Sequence, residues 1–587
     1  MSFIKGVFAT VTGLFLFFFL LLVLIIGLAA SQSSSSEPYV KSKSVLKIPL
    51  SGTLSERVPV ENPFAELTDP GYKNRVTING LRAVLENAAA DERIAGVWLD
   101  ITTVGGGFSS LQEIHQLITT FKQGGKFVYA STNDAGMNEA GYFLATAADS
   151  IFAPEQTYIE FDGFYLQGQF YKRLFDKIGI DVDVVNSGQF KTAAESYTHD
   201  RFTPANRLQL TSVLNTAMDM HLSATEAKTG KPRAELNILL NKAPIFSATD
   251  AYKAGLVDSL LYPQDLETLI AARAGSSKLE TVTYARYSAV SASKAGITRA
   301  TSDGKIAILY ATGLILPVSA PDLMNPDGGV LTATLIKKEL DKITKDESIK
   351  AIVLRIDSPG GAATTSELIW KMVKDAAGDR PVVASMGRVA ASGGYYIAMA
   401  ADTVVAMPTT ITGSIGVIMQ KISYKELFED QLGITFDEVA THPNASWMDP
   451  ANRLNPSQRA MLTSMSQETY TLFKKRVADN RGMTLNRVDA LGQGRVWSGA
   501  DAKANGLVDV LGGLDTAIAI AAEMAGLTGY DTQIFPKEVP LIERLLTSGM
   551  QEIRTALLPE FMQRMSPPML LDRPMAYTLF PLELEWK

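Results

Sequence analysis

Ile349-Lys350-Ala351-Ile352-Val353-Leu354, followed closely by the glycine turn Pro359-Gly360-Gly361, decides the fold because the chain carries it twice. The earlier version is Ile94-Ala95-Gly96-Val97-Trp98-Leu99, entering Val104-Gly105-Gly106. Further matches follow in the same order. Tyr142 with Ala147-Ala148-Asp149 pairs with Tyr395 and Ala400-Ala401-Asp402. Lys177-Ile178-Gly179-Ile180 pairs with Gln431-Leu432-Gly433-Ile434, and Ala254-Gly255-Leu256-Val257-Asp258 with Asn505-Gly506-Leu507-Val508-Asp509. The offsets, 255, 253, 254 and 251, are nearly constant, as a tandem duplication requires.

Within each copy, short β-branched runs alternate with helical patterns. Val45–Leu50, Val97–Ile101 and Phe127–Ala130 read as buried strands, and Ile306–Tyr310, Ala351–Ile356 and Val382–Ser385 are their counterparts. Gly80–Ala89, Leu111–Phe121 and Thr365–Ala376 read as helices between them. Such alternation predicts an α/β fold with parallel strands. The expected organisation is an anchor over 1–30, a tether over 31–42 and an N-terminal repeat over 43–275. A Ser/Ala/Thr-rich linker over 276–303, a C-terminal repeat over 304–531 and an extension over 532–587 follow. From Thr532 onward the sequence shows no counterpart in the first copy.

The 587 residues carry 55 Lys+Arg against 62 Asp+Glu, a net charge of −7. That balance gives no basic footprint for nucleic acid. With 46% hydrophobic and 20% charged residues the chain can fill cores and is not disordered. Zero cysteine excludes disulfides, thiolate metal sites and a cysteine nucleophile. The four histidines, His115, His199, His221 and His442, are scattered, so no metal or cofactor is expected. Val7 to Ala30 contains no charge and, as a helix, spans about 36 Å, enough for a hydrocarbon core of about 30 Å. It is longer than a signal-peptide apolar region, which favours an uncleaved anchor over a cleaved leader. Lys5 ahead of it and Glu37 behind it orient the body outward.

The chemistry centres on two glycine-rich junctions of the second copy. Asp357-Ser358-Pro359-Gly360-Gly361 follows a strand, and such a turn leaves backbone N–H groups free to hold an oxyanion. Met386-Gly387-Arg388-Val389-Ala390-Ala391-Ser392-Gly393-Gly394-Tyr395 places Ser392 among small residues at a strand-to-helix junction. There its hydroxyl is approachable, and the Gly393 N–H faces a developing oxyanion. A serine nucleophile needs a base. His442, the single histidine of the second copy, is one candidate. Lys191, in Gly188-Gln189-Phe190-Lys191-Thr192-Ala193-Ala194-Glu195, is the other, because apolar neighbours lower an ammonium's pKa. Pairing with Glu195 would oppose that. The repeat alignment favours the lysine. Ser392 falls on Glu139 of the first copy, and Lys191 on Ala445 of the second. Each copy keeps one half of a composite site.

These motifs, with Thr412-Gly413-Ser414-Ile415-Gly416-Val417, resemble the signal peptide peptidase A (protease IV) family in its long two-repeat form, over roughly residues 1–530. The resemblance implies a Clp-protease/crotonase-like fold in each repeat. It implies Ser392 as nucleophile, Lys191 as general base, Gly361 and Gly393 as oxyanion donors, and Ser414 as a residue that helps hold the lysine amine. It further implies a homotetramer on the bacterial inner membrane, catalytic body in the periplasm, degrading apolar signal-peptide remnants. Two other readings compete. One is a non-catalytic membrane-tethered scaffold ring. The other is a crotonase-type acyl-thioester enzyme with Glu139 or Glu367 as its carboxylate.

Overall fold

The computed structural model describes residues 38–57, 75–242, 245–298, 302–317, 329–537 and 577–579, together with Gly13, Leu16 and Phe17. Apart from those three residues, the anchor expected over 1–30 lies outside the described residues. Among the described residues no helix is long and apolar enough to cross a membrane.

The β-branched runs read from the sequence lie within largely buried strands, each paired in parallel with its neighbour. In the first repeat the order is Ser259–Leu260, Ser150–Ala153, Phe127–Ser131, Ile94–Gly105, Ser44–Thr53 and Thr281–Thr283, every pairing parallel. The second repeat reproduces the series. Val510–Leu511, Thr403–Ala406, Val382–Ala391, Ile349–Ser358, Gly304–Thr312 and Tyr530–Phe535 lie side by side, also in parallel. Parallel sheets need cover on both faces, and the helices that connect successive strands supply it. Ile78–Ala90 and Phe108–Gln123 bury apolar stripes against the first sheet, and Ala333–Lys345 and Ala363–Ala377 against the second.

Two details differ from the reading of the sequence. Thr281–Thr283, inside the stretch read as a linker, is the edge strand beside Ser44–Thr53. Tyr530–Phe535, which overlaps the start of the stretch read as unmatched, holds the equivalent edge beside Gly304–Thr312. Edge strands of this length carry too little apolar pattern to align by sequence.

A third sheet crosses between the repeats. Its order is Val330–Leu331, Leu314–Ile315, Gly360–Ala362, Tyr577–Leu579, Val417–Ser423 and Asp181–Ser187. The last pairing is antiparallel and joins the two repeats over seven residues, from Val417 opposite Ser187 to Ser423 opposite Asp181.

A buried ionic cluster also bridges the repeats. Arg355, 1% exposed, donates from Nε and Nη2 to both carboxylate oxygens of Glu56 at 3.0 and 2.8 Å. It donates to Glu113 at 2.7 Å and to Ser385 at 2.9 Å. Arg82 donates to the other Glu113 oxygen at 2.6 Å, and that oxygen also accepts the Leu514 N–H at 3.0 Å. Burial raises the Glu113 pKa, but Arg355 and Arg82 outweigh it and hold the carboxyl below its ordinary value. Removing one partner strands buried charge. Arg355→Ala is expected to lower unfolding free energy by about 3–5 kcal/mol, measured by denaturant titration.

Candidate active site

Ser392 ends the strand Val382–Ala391 and precedes the helix Gly393–Ala398. Its φ of +58° lies in the left-handed region, which is costly for a residue with a Cβ. The turn is held by the Ser392 N–H donating to Gly413 O at 2.8 Å and by Tyr396 N–H donating to Ser392 O at 2.8 Å. It needs glycine at 394, where a Cβ would lie 2.5 Å from Ser358 O. Gly393 opens the helix, so its N–H has no intrahelical acceptor.

The glycine turn at Gly360-Gly361 is anchored by its own motif. Ser358 Oγ donates to Gly313 O at 2.7 Å and accepts the Gly360 N–H at 3.2 Å. Asp357 accepts from Arg388 Nε at 2.9 Å and from the Val389 N–H at 3.1 Å, fixing the turn beside the strand that delivers Ser392. Gly361 lies in the third sheet, opposite Ile315 on one side.

Lys191 arrives from the first repeat. It follows the strand Asp181–Ser187, whose ladder with Val417–Ser423 carries the chain into the second repeat. The loop after it threads against Gln493 and Gly494: the Phe190 N–H donates to Gln493 O at 2.8 Å, and a Cβ on Gly494 would lie 2.5 Å from Lys191 Cβ. Gln209 clamps the loop. Its Nε2 donates to Phe190 O at 3.3 Å and Thr192 Oγ1 at 3.1 Å, while its Oε1 accepts the Val496 N–H from the second repeat at 3.1 Å.

The side chain ends 2.7 Å from Ser392 Oγ, 2.9 Å from Ser414 Oγ and 3.1 Å from Ser414 O. The amine thus reaches three oxygens; in its neutral form two N–H groups can donate to Ser414 while the lone pair is left for the Ser392 hydroxyl. Ser414 is itself held at φ +52°, its N–H donating to Arg495 O at 2.7 Å. Burial alone pushes the Lys191 ammonium well below a lysine's ordinary pKa. Glu195 does not oppose this, because its carboxylate turns to Asn206 Nδ2 at 2.8 Å and to Thr203.

The residues named by the competing readings are elsewhere. His442 is exposed and lies 3.2 Å from Thr441 Oγ1. Glu367 accepts from Arg476 and from Tyr396 OH. Glu139, at the first-repeat position equivalent to Ser392, is buried. It accepts the Asp162 and Gly163 N–H groups at 2.6 and 3.2 Å, with His221 Nε2 at 3.0 Å from its other oxygen. That half of the duplication is filled by its own side chain. The roles of Gln209, Gln493 and Gly494 in holding the lysine were not read from the sequence. They depend on contacts between segments roughly 280–300 positions apart.

The model of peptidase family S49 matches residues 120–276 and 374–528, one match in each repeat. This chain belongs to peptidase family S49. It is a serine peptidase. It is 32% identical to the chloroplastic serine protease SPPA of Arabidopsis thaliana, over 86% of this chain and 72% of that one. It is 33% identical to protease 4 of Salmonella typhi, over 82% of this chain and 77% of that one. A putative signal peptide peptidase SppA of Enterococcus faecium is 34% identical over 31% of this chain and 52% of its own.

The burial of Lys191 ties stability to pH, and with Lys191 as base it would tie activity to pH as well. The amine accepts a proton only when neutral, so activity is expected to rise as pH climbs through its lowered pKa, measured as a kcat/KM profile. Between that pKa and the ordinary 10.5 the unfolded chain binds the extra proton, so stability also rises with pH across this window. Lys191→Met removes that dependence. Its thermal midpoint should exceed the parent's at neutral pH, and the gap should close toward pH 10.5.

Proposed function

We propose that this S49 peptidase is a membrane-anchored endopeptidase that cleaves apolar signal-peptide remnants with Ser392 as nucleophile and Lys191 as general base. The observation that carries the reading is the 2.7 Å contact between a buried, carboxylate-free lysine amine and a serine hydroxyl on a strained turn. Neutral Lys191 takes the Ser392 proton as Oγ attacks the peptide carbonyl carbon. The oxyanion is held by the N–H groups of Gly361 and Gly393, and each such donor is typically worth about 10²–10³ in rate. Lysinium then protonates the leaving amine, breaking the C–N bond. Water, deprotonated by the same amine, hydrolyses the acyl-enzyme and restores Ser392. Ser414 keeps the lysine lone pair aimed at Ser392 through both half-reactions. These steps employ protein groups and one water.

The apolar stretch from Val7 to Ala30 supports single-pass attachment to the bacterial inner membrane, with residues from about 43 onward on the periplasmic side. The S49 matches in both repeats, their mirrored parallel strand orders and their glycine turns support a Clp-protease/crotonase-like fold for each. Assembly as a homotetramer completes the proposal. A scaffold role would not require a lysine held without a counter-charge beside a serine.

In membranes or detergent, Ser392→Ala and Lys191→Ala should each lower kcat/KM on an apolar signal-peptide substrate by ~10³ or more while leaving the assembly's mass unchanged. Lys191→Arg should not rescue, since guanidinium stays protonated. Near-full activity in Lys191→Ala would return His442 to consideration and overturn the assignment.

A further inference from the structure

Lys191 and Ser414 come from different repeats, and one residue touches the surroundings of both. Arg495 precedes the short strand Val496–Ser498, which runs antiparallel to Ile411–Gly413. Its carbonyl oxygen accepts the Ser414 N–H at 2.7 Å. Its guanidinium carbon stands 3.9 Å from the centre of the Trp497 ring and 5.3 Å from that of Phe190. Phe190 is the residue before Lys191, and its N–H is held by Gln493 O at 2.8 Å, two positions before Arg495. Backbone and side chain of one arginine thus reach the serine on one side of the amine and the lysine's loop on the other.

The guanidinium makes no ordinary arginine pairing. Arg476 also stacks on an indole, that of Trp370 at 3.9 Å, but it donates to Glu367 as well, and Arg355 pairs with two carboxylates. Among the described residues Arg495 forms no ion pair, and its Nε is buried without a hydrogen-bond partner. Burial counts against the cation, and the carboxylate that acts on it, Asp501, is occupied by Ser212 Oγ at 3.1 Å. The ring faces are therefore what holds this side chain in place. Carboxylates of the neighbouring elements are engaged elsewhere: Glu195 by Asn206, and Asp489 by Lys474 at 2.8 Å and Tyr470 OH at 3.0 Å. What keeps the amine neutral is then exclusion of water, which depends on how firmly the Phe190 loop is pressed into the second repeat.

We propose that Arg495 is a positioning residue for the Ser392–Lys191 pair, stacking on Phe190 and Trp497 while its carbonyl holds Ser414, and so keeping water from the Lys191 amine. The inference rests on Lys191 being the base. A loosened Phe190 loop would admit water, and hydration favours the ammonium. Activity would then fall because fewer chains carry a neutral base, not because the neutral base works less well.

The test uses full-length chains. Arg495→Ala removes the stack, whereas Arg495→Lys keeps the charge and the aliphatic stem but lacks the planar face. In each, the rising limb of the kcat/KM profile should move to higher pH by about one unit, so that activity on the limb falls about tenfold. The plateau above the limb should stay within about threefold of the parent. An unmoved limb, whether at full activity or with an equal loss at every pH, would overturn the inference. So would a limb that moves in the alanine variant and stays in place in the lysine variant, since charge alone would then suffice. Should Arg495→Ala fail to fold, the lysine variant decides. The thermal midpoint reads the amine without activity. At neutral pH the gap between each Arg495 variant and the same variant carrying Lys191→Met should be smaller than the gap between the parent and Lys191→Met. A smaller gap in chains that all lack peptidase activity, the parent included, would uphold the role of Arg495 and overturn that of Lys191 as base.

Discussion

An amine denied both water and a carboxylate is driven toward its neutral form, and the surroundings of Lys191 deny it both. Among the described residues, the Lys191 amine hydrogen-bonds only to serine oxygens. The nearest carboxylate in sequence, Glu195, is turned away by Asn206 and Thr203. Burying an uncompensated amine costs folding energy, so the surroundings must be rigid enough to bear it. The seven-residue ladder between Asp181–Ser187 and Val417–Ser423, the Gln209 clamp and the close approach at Gly494 provide that rigidity.

Duplication explains how such a site could arise. Two copies of one parallel α/β unit start with equivalent junctions, and each junction is free to lose whatever the other supplies. The first copy has Glu139 where the second has Ser392. One Glu139 carboxylate oxygen accepts two backbone N–H groups and the other lies against His221, so a buried side chain fills this junction. The Arg355 cluster holds the two copies in register, with Glu56 and Glu113 reaching from the first repeat to an arginine of the second.

Much of this was legible in the sequence because it rests on local pattern. Buried parallel strands announce themselves as β-branched runs, and a nucleophile turn as serine among glycines and alanines. Lys191 was legible only through comparison of the copies, since its own neighbourhood resembles any solvated lysine. Other features lacked a local signature. The edge strand at Tyr530–Phe535 is too short to align. Tyr577–Leu579 is only three residues long, too short to show a periodicity. Gln209 reads as an ordinary helix residue, and its tertiary contacts with Phe190, Thr192 and Val496 distinguish it.

The ladder that brings Lys191 to Ser392 lies within one polypeptide. Formation of the pair is therefore a unimolecular event, completed when the chain folds and indifferent to protein concentration. A pair shared between separate molecules would come apart on dilution, as mass action requires. Here dilution can dissolve an assembly without separating Lys191 from Ser392. Each chain therefore makes the contact between the two side chains for itself.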